Sequence, residues 1–204
     1  MRLIRALKKL KAFQGLTEQE LAWVLYDVGN SAYTMLACSL IPIWFKSIAV
    51  GHAPGQISSD NATAYYSLAV SIVTVAVALL GPVLGALADH KDKKRMYFTS
   101  AAALGMIFCV LTGFAWSWLL FLILFVVTKI CYSASLTIYD SMLGDITTED
   151  RMDEVSSNGF AWGYLGSCIP FLIALIAYVL GPDMVGLIPA LLSRGIGVFV
   201  TAAW

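Results

Sequence analysis

The residues best equipped for chemistry in this chain lie inside its most apolar stretches. Residues 25 to 33 read LYDVGNSAY, which places Tyr26, Asp27 and Asn30 within one and a half helical turns, with Ser31 beside them. A second group, Lys129, Tyr132, Tyr139 and Asp140, is spread along the run KICYSASLTIYD. Asp and Lys exchange protons and pair with charged solutes, while Asn and Tyr donate and accept hydrogen bonds without carrying charge. Ionisable side chains inside a membrane cost at least ~2.5 kcal/mol each on insertion scales and face a cavity or a partner. Asp27 or Asp140 could carry a coupling proton, and Lys129 could hold a carboxylate or neutralise an aspartate. The structural alternatives are an Asp27 hydrated among headgroups and a Lys129 that snorkels to a surface.

Helical geometry groups these residues. At 100° per residue, Asp27, Asn30, Ser31, Thr34 and Cys38 fall within about 60° of one line, while Leu25, Ala32, Leu36 and Ile43 take the far side. Lys129, Ser133 and Asp140 share a face of the other helix, with Tyr132 and Tyr139 beside it. Tyr26-Asp27 opens the first apolar segment and Tyr139-Asp140 closes the fourth. Opposite chain directions bring the two dipeptides to one depth, as an inverted repeat of three helices plus three would.

The elements that must position them are membrane helices. Of the 204 residues 59% are hydrophobic and 13% charged, against roughly a quarter charged in soluble domains, and the mean hydropathy is +0.79. Apolar runs of about 20 residues, enough to cross the hydrocarbon core, occupy 22–46, 62–88, 96–116, 118–139 and 157–180. A sixth begins near Val185 and still runs at Trp204. The expected fold is an all-α, polytopic six-helix bundle over residues 20–204 with its last helix cut short, preceded by a basic tail over 1–19. Leu3, Leu7 and Leu10 lie on one side of that tail, which suits either an amphipathic helix on anionic lipid or a topology-setting segment.

Arg2, Arg5, Lys8, Lys9 and Lys11 precede the first helix, and Lys91, Lys93, Lys94 and Arg95 fall between the second and third. The connections after the first, third and fifth helices hold no Lys or Arg. The positive-inside rule then sets the amino terminus in the cytoplasm. Ser67, Ser71, Thr74, Ala78, Gly81 and Gly85 form a small-residue stripe on the second helix, a close-packing face. Gly159, Gly163 and Gly166 repeat the device on the fifth, before Pro170.

Cys38, Cys109, Cys131 and Cys168 all sit in apolar runs without CxxC spacing and read as small hydrophobes. His52 and His90 have no ligand partner at helical spacing. The sequence shows no phosphate-binding glycine loop, metal-ligand cluster or nucleic-acid motif, so neither a cofactor nor ATP hydrolysis by this chain is expected.

Residues 85 to 95 read GALADHKDKKR. The stretch resembles the signature loop of the major facilitator superfamily, G-x-x-x-D-R-x-G-R-K, with Gly85, Asp89, Lys93 and Lys94 in place. His90 stands for the family's Arg and Asp92 for its Gly. Together with LAWVLYDVGNSAY and DITTEDRMDEVSSNGFAWGYLGS, the chain over roughly residues 20–170 resembles the vacuolar-effluxer-like branch, related to fungal vacuolar amino-acid exporters active in autophagy. The resemblance implies a half of a twelve-helix secondary transporter in the cell membrane, moving a small polar solute, with amino acids as candidates. Its partners would be membrane lipid, that solute and a carboxy-terminal six-helix half. It also implies a cytoplasmic gate: Gly85 allows close approach to the other half, Asp89 faces a helix amino terminus there, and the basic run reaches acids such as Asp145 or Glu149. A basic run that only sets topology is the alternative. The antiporter pattern of adjacent Gly and Pro is not met by GFAWGYLGSCIP, which leaves exchange and proton symport open.

Two further classes compete. Intramembrane aspartyl proteases pair a Tyr-Asp with a Gly-x-Gly-Asp and a Pro-Ala-Leu, and Tyr26-Asp27, Met142-Leu143-Gly144-Asp145 and Pro189-Ala190-Leu191 offer partial matches. The first glycine is missing, and Asp145 falls in an acidic connection, so the chain is read as a non-enzyme. A membrane scaffold or a self-pairing half-transporter would use the small-residue faces.

Overall fold

The computed structural model of the protein describes residue 13 and residues 15–88, 91–182 and 184–204. Asp89, His90 and the leucines of the basic tail lie outside these residues. Among the described residues six α-helices follow one another: α1 Glu18–Ala49, α2 Ser59–Ala88, α3 Lys91–Gly113, α4 Trp118–Ile146, α5 Met152–Val179 and α6 Ala190–Ala203. Five of them are long and apolar enough to cross a bilayer, and the 14-residue α6 is a shorter apolar helix. The protein is an all-α, multi-pass membrane protein.

The helices extend beyond the apolar runs because polar residues at their ends satisfy backbone groups. At the start of α1, Thr17 and Glu20 form a capping box: Glu20 N donates to Thr17 Oγ1 at 3.2 Å and Thr17 N donates to Glu20 Oε2 at 2.7 Å, which satisfies two otherwise orphaned donors. Ser117 caps α4 through Leu120 N at 3.2 Å. The sixth helix starts five residues later than the apolar run suggests. Gly186 takes a φ of 75°, and residues 186–188 fold back so that their N–H groups reach the carbonyls of Gly181 and Leu180. Pro189 then stands at the N-cap, just ahead of the first turn, whose N–H groups have no intrahelical acceptors.

In the packing, α1 lies along α5, α4 lies along α2 and α3, and α6 lies against α5 and α3. Exchanging α1 with α4, α2 with α5 and α3 with α6 turns the α1–α5 contact into the α4–α2 contact and the α3–α4 contact into the α6–α1 contact, and all four are present. A three-plus-three repeat relates these pairs, although the α1–α2 contact has no comparable α4–α5 counterpart. The main core joins Leu36, Leu40, Trp44 and Phe45 of α1 to Phe121 and Phe125 of α4, with Ala174 of α5 and Val198 of α6. A second cluster at the other end gathers Leu21, Trp23 and Val24 around Tyr139 and Val155.

The two small-residue stripes behave differently. On α5, a Cβ added at Gly159 would lie 2.7 Å from the Trp23 ring, and one at Gly163 would lie 2.8 Å from Ser31 Oγ. Dispersion contacts, not water exclusion, hold helices together in lipid, so this close approach is the source of α1–α5 adhesion. On α2 the stripe does not pack within the described residues: Ser67, Ser71, Thr74, Ala78 and Gly85 are exposed, and a Cβ at Gly81 or Gly85 would touch nothing within 4 Å. The buried side of α2 is instead Ala62, Ala69 and Val73.

Candidate functional site

The site is built on the antiparallel seam of α1 and α4. Trp23 and Tyr139 stack with ring centroids 4.4 Å apart, and each reaches the other's backbone: Tyr139 Oη donates to Trp23 O at 3.0 Å and Trp23 Nε1 donates to Tyr139 O at 3.3 Å. One turn along, Tyr26 packs on Tyr139 at 4.7 Å and on Phe98 of α3 at 4.7 Å, and its hydroxyl donates to Ser135 Oγ at 3.3 Å. The two Tyr-Asp dipeptides therefore meet through their tyrosines. Further along, the hydroxyls of Thr34 and Tyr132 bond at 2.6 Å, and Tyr33 packs on Tyr132 at 4.9 Å.

The charged members stand beside these tyrosines in different settings. Asp27 is 9% exposed, and its carboxylate lies against α5, where Cβ atoms built at Gly163 and Gly159 would stand 3.1 Å and 3.3 Å from Oδ2. A helical wheel assigns Asp27 to the polar stripe but cannot say that two glycines on another helix open the space for it. Asp140 is exposed at the end of α4. Lys129 is half-buried, its ammonium 5.0 Å from the Tyr132 ring centroid and 5.6 Å from that of Tyr33. Asn30 lines a cavity of 420 Å3 between α1, α3, α4 and α6, together with Tyr26, Tyr33, Tyr132 and Ser135. Thr34 and Cys38 are exposed on the open side of α1.

A polar cluster closes the end of the bundle where α1 begins and α4 ends. Lys94 is buried and bridges to Asp145 Oδ2 at 2.6 Å, with a further bond to Ser141 O at 3.2 Å. Lys93 and Gly85 are exposed, and Asp89 lies outside the described residues. Sequence reasoning missed Glu20, which is 1% exposed. Its carboxylate accepts from Thr17 N, from Thr147 Oγ1 at 2.8 Å and from the Arg151 guanidinium at 3.3 Å. Arg151 also donates to Gly15 O at 2.8 Å. The signal was present as the spacing Thr17-x-x-Glu20 ahead of an apolar run.

Among the described residues no group of three or more His, Cys, Asp or Glu could hold a metal ion. The protease reading needs Asp27 and Asp145 to share a water, but Asp145 is engaged by Lys94 and Asp27 lies against α5. What the fold and seam define is a helical membrane bundle with polar residues threaded through its interior. The chain belongs to the major facilitator superfamily, a family of transporters and not of enzymes, whose profile matches residues 28–204. It is 36% identical over 191 residues to YxiO of Bacillus subtilis (strain 168), an uncharacterised MFS-type transporter; the match takes in 92% of this chain and 44% of that protein. No solved structure matches at a significant level.

Proposed function

We propose that the chain is the amino-terminal half of a secondary-active transporter that moves a small polar solute by alternating access. The observation that supports this reading most is the α1–α4 seam, where Tyr26 packs on Tyr139 and Lys129 lies over Tyr132 in helices long and apolar enough to cross a membrane. Tyr26, Asn30, Tyr132 and Tyr139 offer hydrogen bonds to a solute, and Asp27 and Asp140 are the candidate proton carriers. Amino acids are the candidate solutes, on the strength of the resemblance in the three quoted stretches. The basic tail over 1–19 and the signature loop would face the cytoplasm of a cell membrane, by their positive charge.

In this reading a second six-helix bundle covers the open faces of α1, α2 and α4. The exposed small-residue stripe of α2, with Gly85 at its end, fits close approach to such a bundle. Gly85, Asp89, Lys93 and Lys94 with Asp145 would form the gate between the halves, and the Lys94–Asp145 pair shows that the basic run and the α4 end lie within reach of each other.

The reading is tested by efflux of labelled amino acids from vesicles holding the whole transporter, with and without a pH gradient. Asp27→Asn is expected to cut gradient-driven flux roughly tenfold or more, as for removal of a positioned proton carrier. Unchanged flux in that variant would remove Asp27 from the pathway.

A further inference from the structure

The Lys129 ammonium stands over two tyrosine rings, and among the described residues no carboxylate balances it. Among the described residues it makes no ion pair. The two acids on the polar faces of α1 and α4 stand elsewhere: Asp27 lies against the α5 glycines and Asp140 is exposed eleven residues further along α4. A cation at the centre of a membrane helix is costly. A cation–π contact returns only part of that cost. The difference is best offset by a bound anion.

Resting on the transport reading above, we propose that Lys129 is the anchor for a carboxylate on the transported solute, and that this carboxylate is the group the site requires. The surroundings fit that chemistry. The Tyr33 and Tyr132 rings hold the ammonium from one side, and the Thr34–Tyr132 hydroxyl bond fixes Tyr132 in place. Thr34 and Cys38 lie on the open side of α1, where a solute arrives.

A second consequence concerns the amino group. Asp27 precedes Tyr33 by six residues on α1, a helical rise of about 9 Å. Asp27 turns to the α5 glycines, so the α-ammonium of an amino acid held at Lys129 is assigned no partner there. The carboxylate is required and the α-ammonium is dispensable.

The test compares leucine, glutamine and tyrosine with their amides and their deaminated acids, as competitors of flux and as stabilisers in thermal unfolding of the purified whole transporter. The acids and the deaminated acids are expected to compete and to raise Tm, and the amides to do neither. Lys129→Arg should retain the carboxylate effect, and Lys129→Gln should weaken it roughly tenfold or more, the scale of a charge-assisted hydrogen bond. Lys129→Gln should not lower Tm in the absence of solute, because it removes an uncompensated charge. Amides as effective as acids, no effect from any carboxylate, or a Lys129→Gln protein that keeps full carboxylate competition would each overturn the assignment. Solute flux that persists unchanged in Lys129→Gln would overturn it while leaving transport intact, whereas a wild-type protein with no flux of any solute would overturn the transport reading itself.

Discussion

Glu20→Ala is expected to destabilise the chain by about 2 to 3 kcal/mol, more than any other single change at its polar end. The carboxylate accepts from three groups on three segments: the Thr17 N–H that opens α1, the Thr147 hydroxyl at the C-cap of α4, and the Arg151 guanidinium in the short 3-10 turn Glu149–Arg151 ahead of α5. Removing it takes an acceptor from all three at once, and Glu20 is almost wholly buried. Arg151 is a third exposed and keeps its bonds to Gly15 O and Glu154, so solvent recovers part of that loss and the cost stays below that of a fully buried pair. Glu20→Gln keeps an acceptor for Thr17 or Thr147 and should lose less than half as much. Thermal unfolding in detergent micelles checks both. Equal effects of the two substitutions would show that charge, and not the three-way acceptor, holds the segments together.

The second large effect is expected at Gly163. A Cβ there would stand 2.8 Å from Ser31 Oγ and 3.1 Å from Asp27 Oδ2, closer than neighbouring atoms tolerate, and valine adds two methyl groups to the collision. Overpacking of this kind costs about 1–3 kcal/mol. Here it also drives α5 off α1 and displaces Asp27, so flux should fall along with stability. Gly85→Val gives the contrast, since its Cβ meets open space in this chain. Gly85→Val should leave the Tm of the 204-residue chain unchanged. A Gly163→Val protein as stable as the parent would mean that α1 and α5 do not meet at Asp27.

Much of this architecture was legible in the residues. The five spans were readable because lipid demands about 20 apolar residues per crossing, and the α5 glycines announced a close helix contact. The Tyr26-Asp27 and Tyr139-Asp140 echo anticipated a seam between α1 and α4, and the structure brings the two tyrosines together. Periodicity was silent about neighbours. It grouped Asp27 with Thr34 and Cys38, yet Asp27 turns to α5 while the other two stay open, because residues on one line of a helix but about 10 Å or more apart along its axis meet different neighbours. For the same reason the α2 stripe looked like a packing face but finds no partner here. Glu20 escaped notice because it sits just ahead of the apolar run, where acids are common and usually solvated. The late start of α6 followed from Gly186 and Pro189, whose backbone preferences override an unbroken apolar pattern.

The central claim is that the open face of α1, around Thr34 and Cys38, lines a water-filled solute path and not lipid. A thiol facing water ionises and reacts, whereas one facing lipid stays protonated and inert, since the thiolate is the nucleophile. Cys38 is exposed and Cys109 is buried, so a whole transporter keeping only Cys38 supplies the probe. In membrane vesicles, a charged, membrane-impermeant methanethiosulfonate should modify Cys38 readily, and transported solute should slow that reaction. If Cys38 resists the charged reagent in vesicles and reacts with it only after denaturation, the face is closed to water and the solute path is elsewhere.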